Sequence, residues 1–320
     1  MLHAPAGWDL NDSPFHKGER LIQEQFGIAR KMEHAGRHGI RRYMPDQHRE
    51  FFPQLPFIVV AALDHSGQPW ASLLCNAPGF IQSPDATHLV VNALPDEYDP
   101  LHDLLNNDSM IGLLGIQPHT RRRNRANGRI INNEAALHIE VLQSFGNCPK
   151  YIQARYCEFD ASALPNASEV VVSSTLNDAM LDIIYDSDMF FIASAHPDAA
   201  QTNIEPQRGI DVSHRGGKPG FVRAIDNSLV VPDYVGNFFF NTLGNLLLNP
   251  KAGLVFIDFQ RGSLLHVAVE AHIIWDGPEL AQFSGAQRLL RFEIKEARHV
   301  LRKLPLRWTG WELSPHLVGR

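Results

Sequence analysis

Pro56-Phe-Ile-Val-Val-Ala-Ala-Leu63, Asp64-His-Ser-Gly-Gln-Pro69 and Trp70-Ala-Ser-Leu-Leu-Cys75 follow one another without interruption, and this stretch decides the fold class. Two short runs of β-branched and apolar residues flank a polar segment holding Gly67 and Pro69, the pattern of two strands joined by a hairpin turn. Working outward, Thr87-His-Leu-Val-Val-Asn-Ala-Leu94 and Met110 to Ile116 add apolar strands. In Ala135 to Val141, Leu137, Ile139 and Val141 alternate with His138 and Glu140, the period of a half-buried strand. Upstream, Leu21, Ile22, Phe26, Ile28, Met32 and Ile40 recur at helical intervals over residues 17–43. Downstream, a Ser/Asn/Ala-rich connector around Pro165 precedes a helix expected over residues 175–187 and the strand Met189-Phe-Phe-Ile-Ala-Ser-Ala195.

From there the pattern repeats. Gly67-Gln-Pro-Trp-Ala-Ser-Leu73 parallels Gly217-Lys-Pro-Gly-Phe-Val-Arg223 as a turn feeding a strand, and His88-Leu-Val-Val91 parallels Ser228-Leu-Val-Val231. Asp103-Leu-Leu-Asn-Asn-Asp-Ser-Met-Ile-Gly-Leu-Leu114 aligns with Asn245-Leu-Leu-Leu-Asn-Pro-Lys-Ala-Gly-Leu-Val-Phe256, each a short helix stopped before a buried strand. Alternation then returns through Leu265 to Ile273 and Leu290 to Ile294. The expected organisation is an N-terminal helical arm (1–52), a first β-barrel (53–150), a connector (151–174), a second barrel (175–308) and a tail (309–320). The fold class is mainly β with flanking helices (α+β), by duplication of one small barrel, with two unrelated β domains as the alternative.

Composition narrows the function. The 320 residues exceed what one core usually organises, and 44% hydrophobic with 20% charged residues supply packed cores. A net charge of -6 speaks against a nucleic-acid binder, which needs a basic face. Cys75, Cys148 and Cys157 form an odd set with no CxxC pair, which fits a reducing compartment. With no basic leader before an apolar core, and no run of the ~20 apolar residues that a membrane span requires, the expected location is cytoplasmic. The sequon Asn166-Ala-Ser168 is then unused.

Rossmann, P-loop, nucleophile-elbow and zincin signatures are all missing. His34 and His38 share a helix face but lack a carboxylate partner, so no metal site is expected. Two segments do carry chemistry. Thr120-Arg-Arg-Arg-Asn-Arg125-Ala-Asn-Gly128 puts guanidinium forks on alternate residues of a strand, suited to phosphate or a delocalised anion. Asp211-Val-Ser-His-Arg-Gly-Gly-Lys-Pro-Gly-Phe-Val-Arg223 combines glycines that permit close backbone approach with donors at Ser213, His214, Arg215 and Lys218.

These runs, together with Ser13-Pro-Phe-His-Lys-Gly-Glu19, Met44-Pro-Asp-Gln-His-Arg-Glu-Phe-Phe52, Pro69-Trp-Ala-Ser72, Asn147-Cys-Pro-Lys-Tyr-Ile152, Gly236-Asn237, Asn241-Thr-Leu-Gly-Asn-Leu246 and Leu304-Pro-Leu-Arg-Trp308, resemble the pyridoxamine 5'-phosphate oxidase-related FMN-binding family, in its long branch of tandem split barrels. The resemblance implies a flavin fold with FMN in a cleft between two barrels, normally across the interface of a homodimer. It also implies a Thr/Ser-x-x-Ser-Arg-Lys turn on the phosphate. Here Asn241-Thr242-Leu243-Gly244-Asn245 lacks the Arg-Lys pair, and the first barrel offers the acidic Leu94-Pro-Asp-Glu-Tyr-Asp99.

The expected phosphate donors are therefore Arg121, Arg123, Arg125, Ser213, Arg215 and Lys218, with Thr242 and Asn245 on ribityl or phosphate oxygens. Arg125 or Arg223 suits the anionic edge of a reduced flavin, and Trp70, Phe221 or Trp308 its ring face. Ser72, Lys150, Tyr151, His214 and Asn237 complete the set that the resemblance implies. The implied activity is FMN-dependent oxidation or reduction of a small molecule, with electrons from NAD(P)H or a partner reductase. The alternative is a non-catalytic carrier of flavin or haem. One cofactor in a shared cleft is expected, not one per barrel.

Overall fold

The computed structural model describes residues 7–163, 169–301 and 304–317, so the sequon lies outside the described residues. The first sheet contains β1 (Phe57–Leu63), β2 (Pro69–Cys75), β3 (Ile81–Gln82), β4 (His88–Val91), β5 (Met110–Gln117), β6 (Arg122–Asn132) and β7 (Leu137–Gly146), in the order β2-β1-β5-β6-β7-β4-β3. After β8 (Ala154–Phe159) and β9 (Glu169–Ser173) comes a second sheet of β10 (Met189–Ala195), β11 (Ile210–Gly216), β12 (Arg223–Ile225), β13 (Ser228–Asp233), β14 (Lys251–Ile257), β15 (Leu264–Ile274) and β16 (Arg288–Leu301). Its order, β11-β10-β14-β15-β16-β13-β12, repeats the first strand for strand, with β9 added beside β16. β17 (Leu306–Glu312) pairs with β8 in a small third sheet. Two tandem split barrels are therefore present.

Why the decisive stretch reads as continuous apolar residues is now clear. β1 is buried on both faces. Ile58, Val60 and Ala62 fill the first barrel, while Phe57, Val59 and Ala61 point the opposite way, as strand alternation dictates. There they meet Phe191 and Ala193 of β10 and Val255 and Ile257 of β14 in a seam between the barrels.

Register sets the correspondence between the halves. Ala61 pairs with Gly112 and Ala71, and Ala193 with Gly253 and Val212. Gly112 thus corresponds to Gly253, Ser72 to Ser213 and Trp70 to Asp211. Leu114 pairs with Arg125 and Val255 with His266, so His266 corresponds to Arg125. The two glycines lie where backbone of one barrel meets backbone of the other. A Cβ on Gly112 would lie 2.9 Å from the Ile210 carbonyl oxygen, and one on Gly253 2.2 Å from that of Pro69. Gly253→Ala is expected to lower stability by about 2 kcal/mol or more, since backbone cannot step aside. Urea unfolding checks this, and a loss within the ~0.5 kcal/mol of an ordinary surface change would refute it.

Four expectations change. The helix expected over 17–43 is α1 (Lys17–Gln25) and α2 (Ala29–Gly39), broken where Gly27 adopts φ +67°, with a short α3 (Asp46–Arg49) following. The partner of the Gly67 to Leu73 segment is β11, and the Gly217-Lys-Pro-Gly220 turn leaves that strand instead of feeding it. The alignment of Asp103 with Asn245 slips by one residue: Gly112 matches Gly253, not Leu254, and a slip of one turns every side chain to the wrong face. Only the second of those segments is helical, α5 (Asn241–Leu248); Asp103, at φ +60°, interrupts the first. The helix expected over 175–187 forms as α4 (Asp178–Asp186), capped by the Asn177 side chain.

A candidate cofactor cleft between the barrels

A cleft of about 970 Å³, open solvent at its mouth included, runs between β6 of the first barrel and β11, α5 and the 234–240 loop of the second. Residues two apart on β6 share a face, so Arg123 and Arg125 both reach it. Arg125 is 2% exposed, donates to Asp211 Oδ1 at 2.9 Å and to the Ser213 hydroxyl, and lies over the Phe145 ring. Arg123 donates to the Cys148 carbonyl at 2.9 Å. Burial, reinforced by Arg125 and Arg215, lowers its guanidinium to about 9, so it remains charged at neutral pH. Burial likewise lowers Arg125.

The second barrel forms the opposite wall. Thr242, in the first turn of α5, donates to the Ser213 hydroxyl at 3.0 Å. The helix is preceded by Phe240 at φ +64°, which supplies no side-chain cap, leaving the first N–H groups for a ligand. Behind α5, Gly18 of α1 presses against Gly244, where a Cβ would come within 2.1 Å of its carbonyl oxygen. That contact brings the buried Glu19 to accept a hydrogen bond from Asn241 at 2.5 Å. Burial, and then Asp211, push the Glu19 carboxyl well above its usual range.

Nearer the mouth, Asp233 is shared by Arg215 at 3.5 Å and Arg288 at 3.6 Å. Arg288 is 3% exposed and faces the rings of Phe26, Phe240 and Trp275 at 5.2–5.3 Å. Tyr151 donates to the Val235 carbonyl at 3.0 Å and packs on Tyr234. Phe238, at φ +63°, and Phe240 occupy a region bulky residues avoid, at a cost of about 1–3 kcal/mol each. Five cations, Arg123, Arg125, Lys150, Arg215 and Arg288, thus line the cleft, with Arg125 paired to Asp211 and Arg215 and Arg288 to Asp233. Arg125 Nε, Arg215 Nε, Arg288 Nε and Nη1, and His214 Nε2 are buried without a hydrogen-bond partner. Buried guanidinium N–H groups that make no hydrogen bond are costly unless an acceptor completes them.

Of the residues named from sequence, Arg123, Arg125, Lys150, Tyr151, Ser213, His214, Arg215, Asn237 and Thr242 line this cleft. Asn245 stands one layer behind, donating to Asp211 Oδ2 at 3.3 Å. The rest are elsewhere. Arg121 takes a left-handed turn before β6 and pairs with Glu312 at 2.8 Å. Arg223 lies over Phe283 on β12, and Lys218 follows the end of β11. Trp70 and Ser72 sit in the related seam on β2. Phe221 fills the second barrel, and Trp308 packs on Phe57 and Phe259. Arg288 was missed, although it shares the inward parity of Leu290, Phe292 and Ile294; a charge on the apolar side of a strand was the available signal.

Residues 44–150 match the family described as pyridoxamine 5'-phosphate oxidase. Over those residues the resemblance to the pyridoxamine 5'-phosphate oxidase-related family is borne out. The family match covers the first barrel, and the second repeats its strand order. No curated protein matches the chain. Among solved structures, a variant of HupZ from Group A Streptococcus is similar at 13% identity, over 39% of this chain and 99% of that one, with a TM-score of 0.30. A FAD-binding protein from Mesorhizobium loti shows 10% identity over 41% and 97%, TM-score 0.28. HutZ, a heme storage protein from Vibrio cholerae, shows 11% identity over 44% and 99%, TM-score 0.25. No helix among the described residues is long and apolar enough to cross a membrane.

Proposed function

We propose that the cleft holds FMN and that the protein is an FMN-dependent oxidoreductase acting on a small molecule, with electrons from NAD(P)H or a partner reductase. The supporting observation is the set of buried guanidinium nitrogens without a hydrogen-bond partner beside the uncapped start of α5. A phosphate monoester carries the charge and the acceptor oxygens that such donors need. In this reading Arg123, Arg125, Ser213 and Thr242 hold the phosphate, and Arg215 and Arg288 face the anionic edge of the ring system. Tyr234, Phe238 and Phe240 supply apolar cover for a flat ring. The flavin contributes the electron transfer; the chain positions it, excludes water and tunes its charge.

Both walls come from one chain, so cofactor retention should not depend on forming a homodimer. Purified protein is expected to be yellow, with absorbance near ~450 nm. Anaerobic NADPH or NADH should bleach it, and air or an added acceptor should restore the colour. Colour without bleaching by either nucleotide or by an added reductase would favour the carrier reading over turnover; a colourless protein that takes up no FMN would sink both.

A further inference from the structure

The approximate twofold that relates the barrels also relates the cleft to a second position, where Ser72 stands for Ser213, His266 for Arg125 and Trp70 for Asp211. That position is closed. Ser72 and His266 are fully buried, and the Ser72 hydroxyl lies 3.3 Å from His266 Nε2. Asp99, 4% exposed, accepts a hydrogen bond from that hydroxyl with Oδ2 and one from the Leu101 N–H with Oδ1 at 2.9 Å. Arg298 covers the Trp70 ring at 4.9 Å.

The two positions differ in one telling respect. Residues 99–104 precede β5 as α5 precedes β14. In the open cleft the helix start has no side-chain cap, and the Ser213 hydroxyl is held by Thr242. In the closed one a carboxylate occupies the equivalent point, joining a backbone N–H to the serine hydroxyl. A phosphate at the open cleft would make the same two kinds of bond.

We infer that Asp99 is an internal stand-in for the anion, plugging the second site so that the chain takes one cofactor for its two barrels. The cofactor count rests on the FMN reading above; the plugging role does not. Removing the carboxylate should leave a vacancy for a small free anion.

Sodium formate is the probe, with sodium chloride at equal ionic strength as control. Thermal unfolding of Asp99→Ala is expected to show a formate-specific rise in Tm of about 2 °C or more, absent in the unaltered protein. Asp99→Ser, which can still cap the turn, serves if the alanine variant does not fold. Equal responses to formate and chloride in the variant would overturn the plugging role. Titration with FMN should saturate at one per chain, and two per chain would overturn the inference. No FMN uptake would defeat the functional reading instead, leaving the formate comparison to decide the role of Asp99.

Discussion

Arg125→Ala is expected to lose the cofactor, with FMN affinity falling about 100-fold or more, the scale of a charge-assisted hydrogen bond inside a water-poor cleft. The same change removes the cation beside Asp211, whose remaining partners are Asn127 at 2.6 Å and Asn245 at 3.3 Å. A carboxylate left buried without its cation costs about 3–5 kcal/mol, so the alanine variant should also be markedly less stable. Arg125→Lys separates the two effects. It keeps a charge near Asp211 but loses the planar fork that spans Asp211 and Ser213, so the fold should survive while affinity falls roughly 10-fold. Fluorescence titration of the apoprotein with FMN measures both. Unchanged affinity in the lysine and alanine variants would move the phosphate away from β6.

Acid should unfold the protein well before its surface carboxylates are all protonated. Burial is the main force lowering His16 and His48 to about 4 and His266 to about 3, from an ordinary value of 6.5. The unfolded chain therefore binds protons near 6.5 that the folded one refuses until 3–4. Stability is greatest above 6.5 and falls as pH drops toward 4. For His266, which has no exposed surface, the loss amounts to roughly 3–5 kcal/mol. Asp99 acts in the opposite sense: burial raises it to about 6, so the folded state holds that proton longer and stability declines as pH rises from 3.8 to 6. Burial also raises Glu19 and Asp188, but it lowers His196, His214 and His299 as well, so six histidines stand against three carboxyls. Tm measured between pH 4 and 8 should fall steeply below 6.5, and His266→Gln should flatten the profile. A level Tm down to pH 4 would contradict the assignment.

The fold was legible because β1, β5, β10 and β14 announce themselves as apolar runs, and His88 and Ser228 do begin matching strands. What failed was local register. Glycine and proline mark a turn equally well before a strand and after one, so sequence alone does not say that Gly217-Lys-Pro-Gly220 follows its strand. Within the arginine run, strand parity separates Arg123 and Arg125 from Arg122, but nothing in the spelling shows that Arg121 precedes the strand in a left-handed turn. Arg288 and Asp233 lie far apart in sequence and meet only because β16 pairs with β13, a tertiary fact that periodicity does not carry.

Covalent fusion of the barrels has a further consequence. In a homodimer with a twofold axis, one gene change alters both clefts, so neither can be closed without closing the other. Here Ser72 and Ser213 are separate codons, and a loss in one half is invisible to its counterpart. The tether also holds the halves at an effective concentration of order millimolar, so the Gly112 and Gly253 contacts persist at dilutions that would take two loose subunits apart.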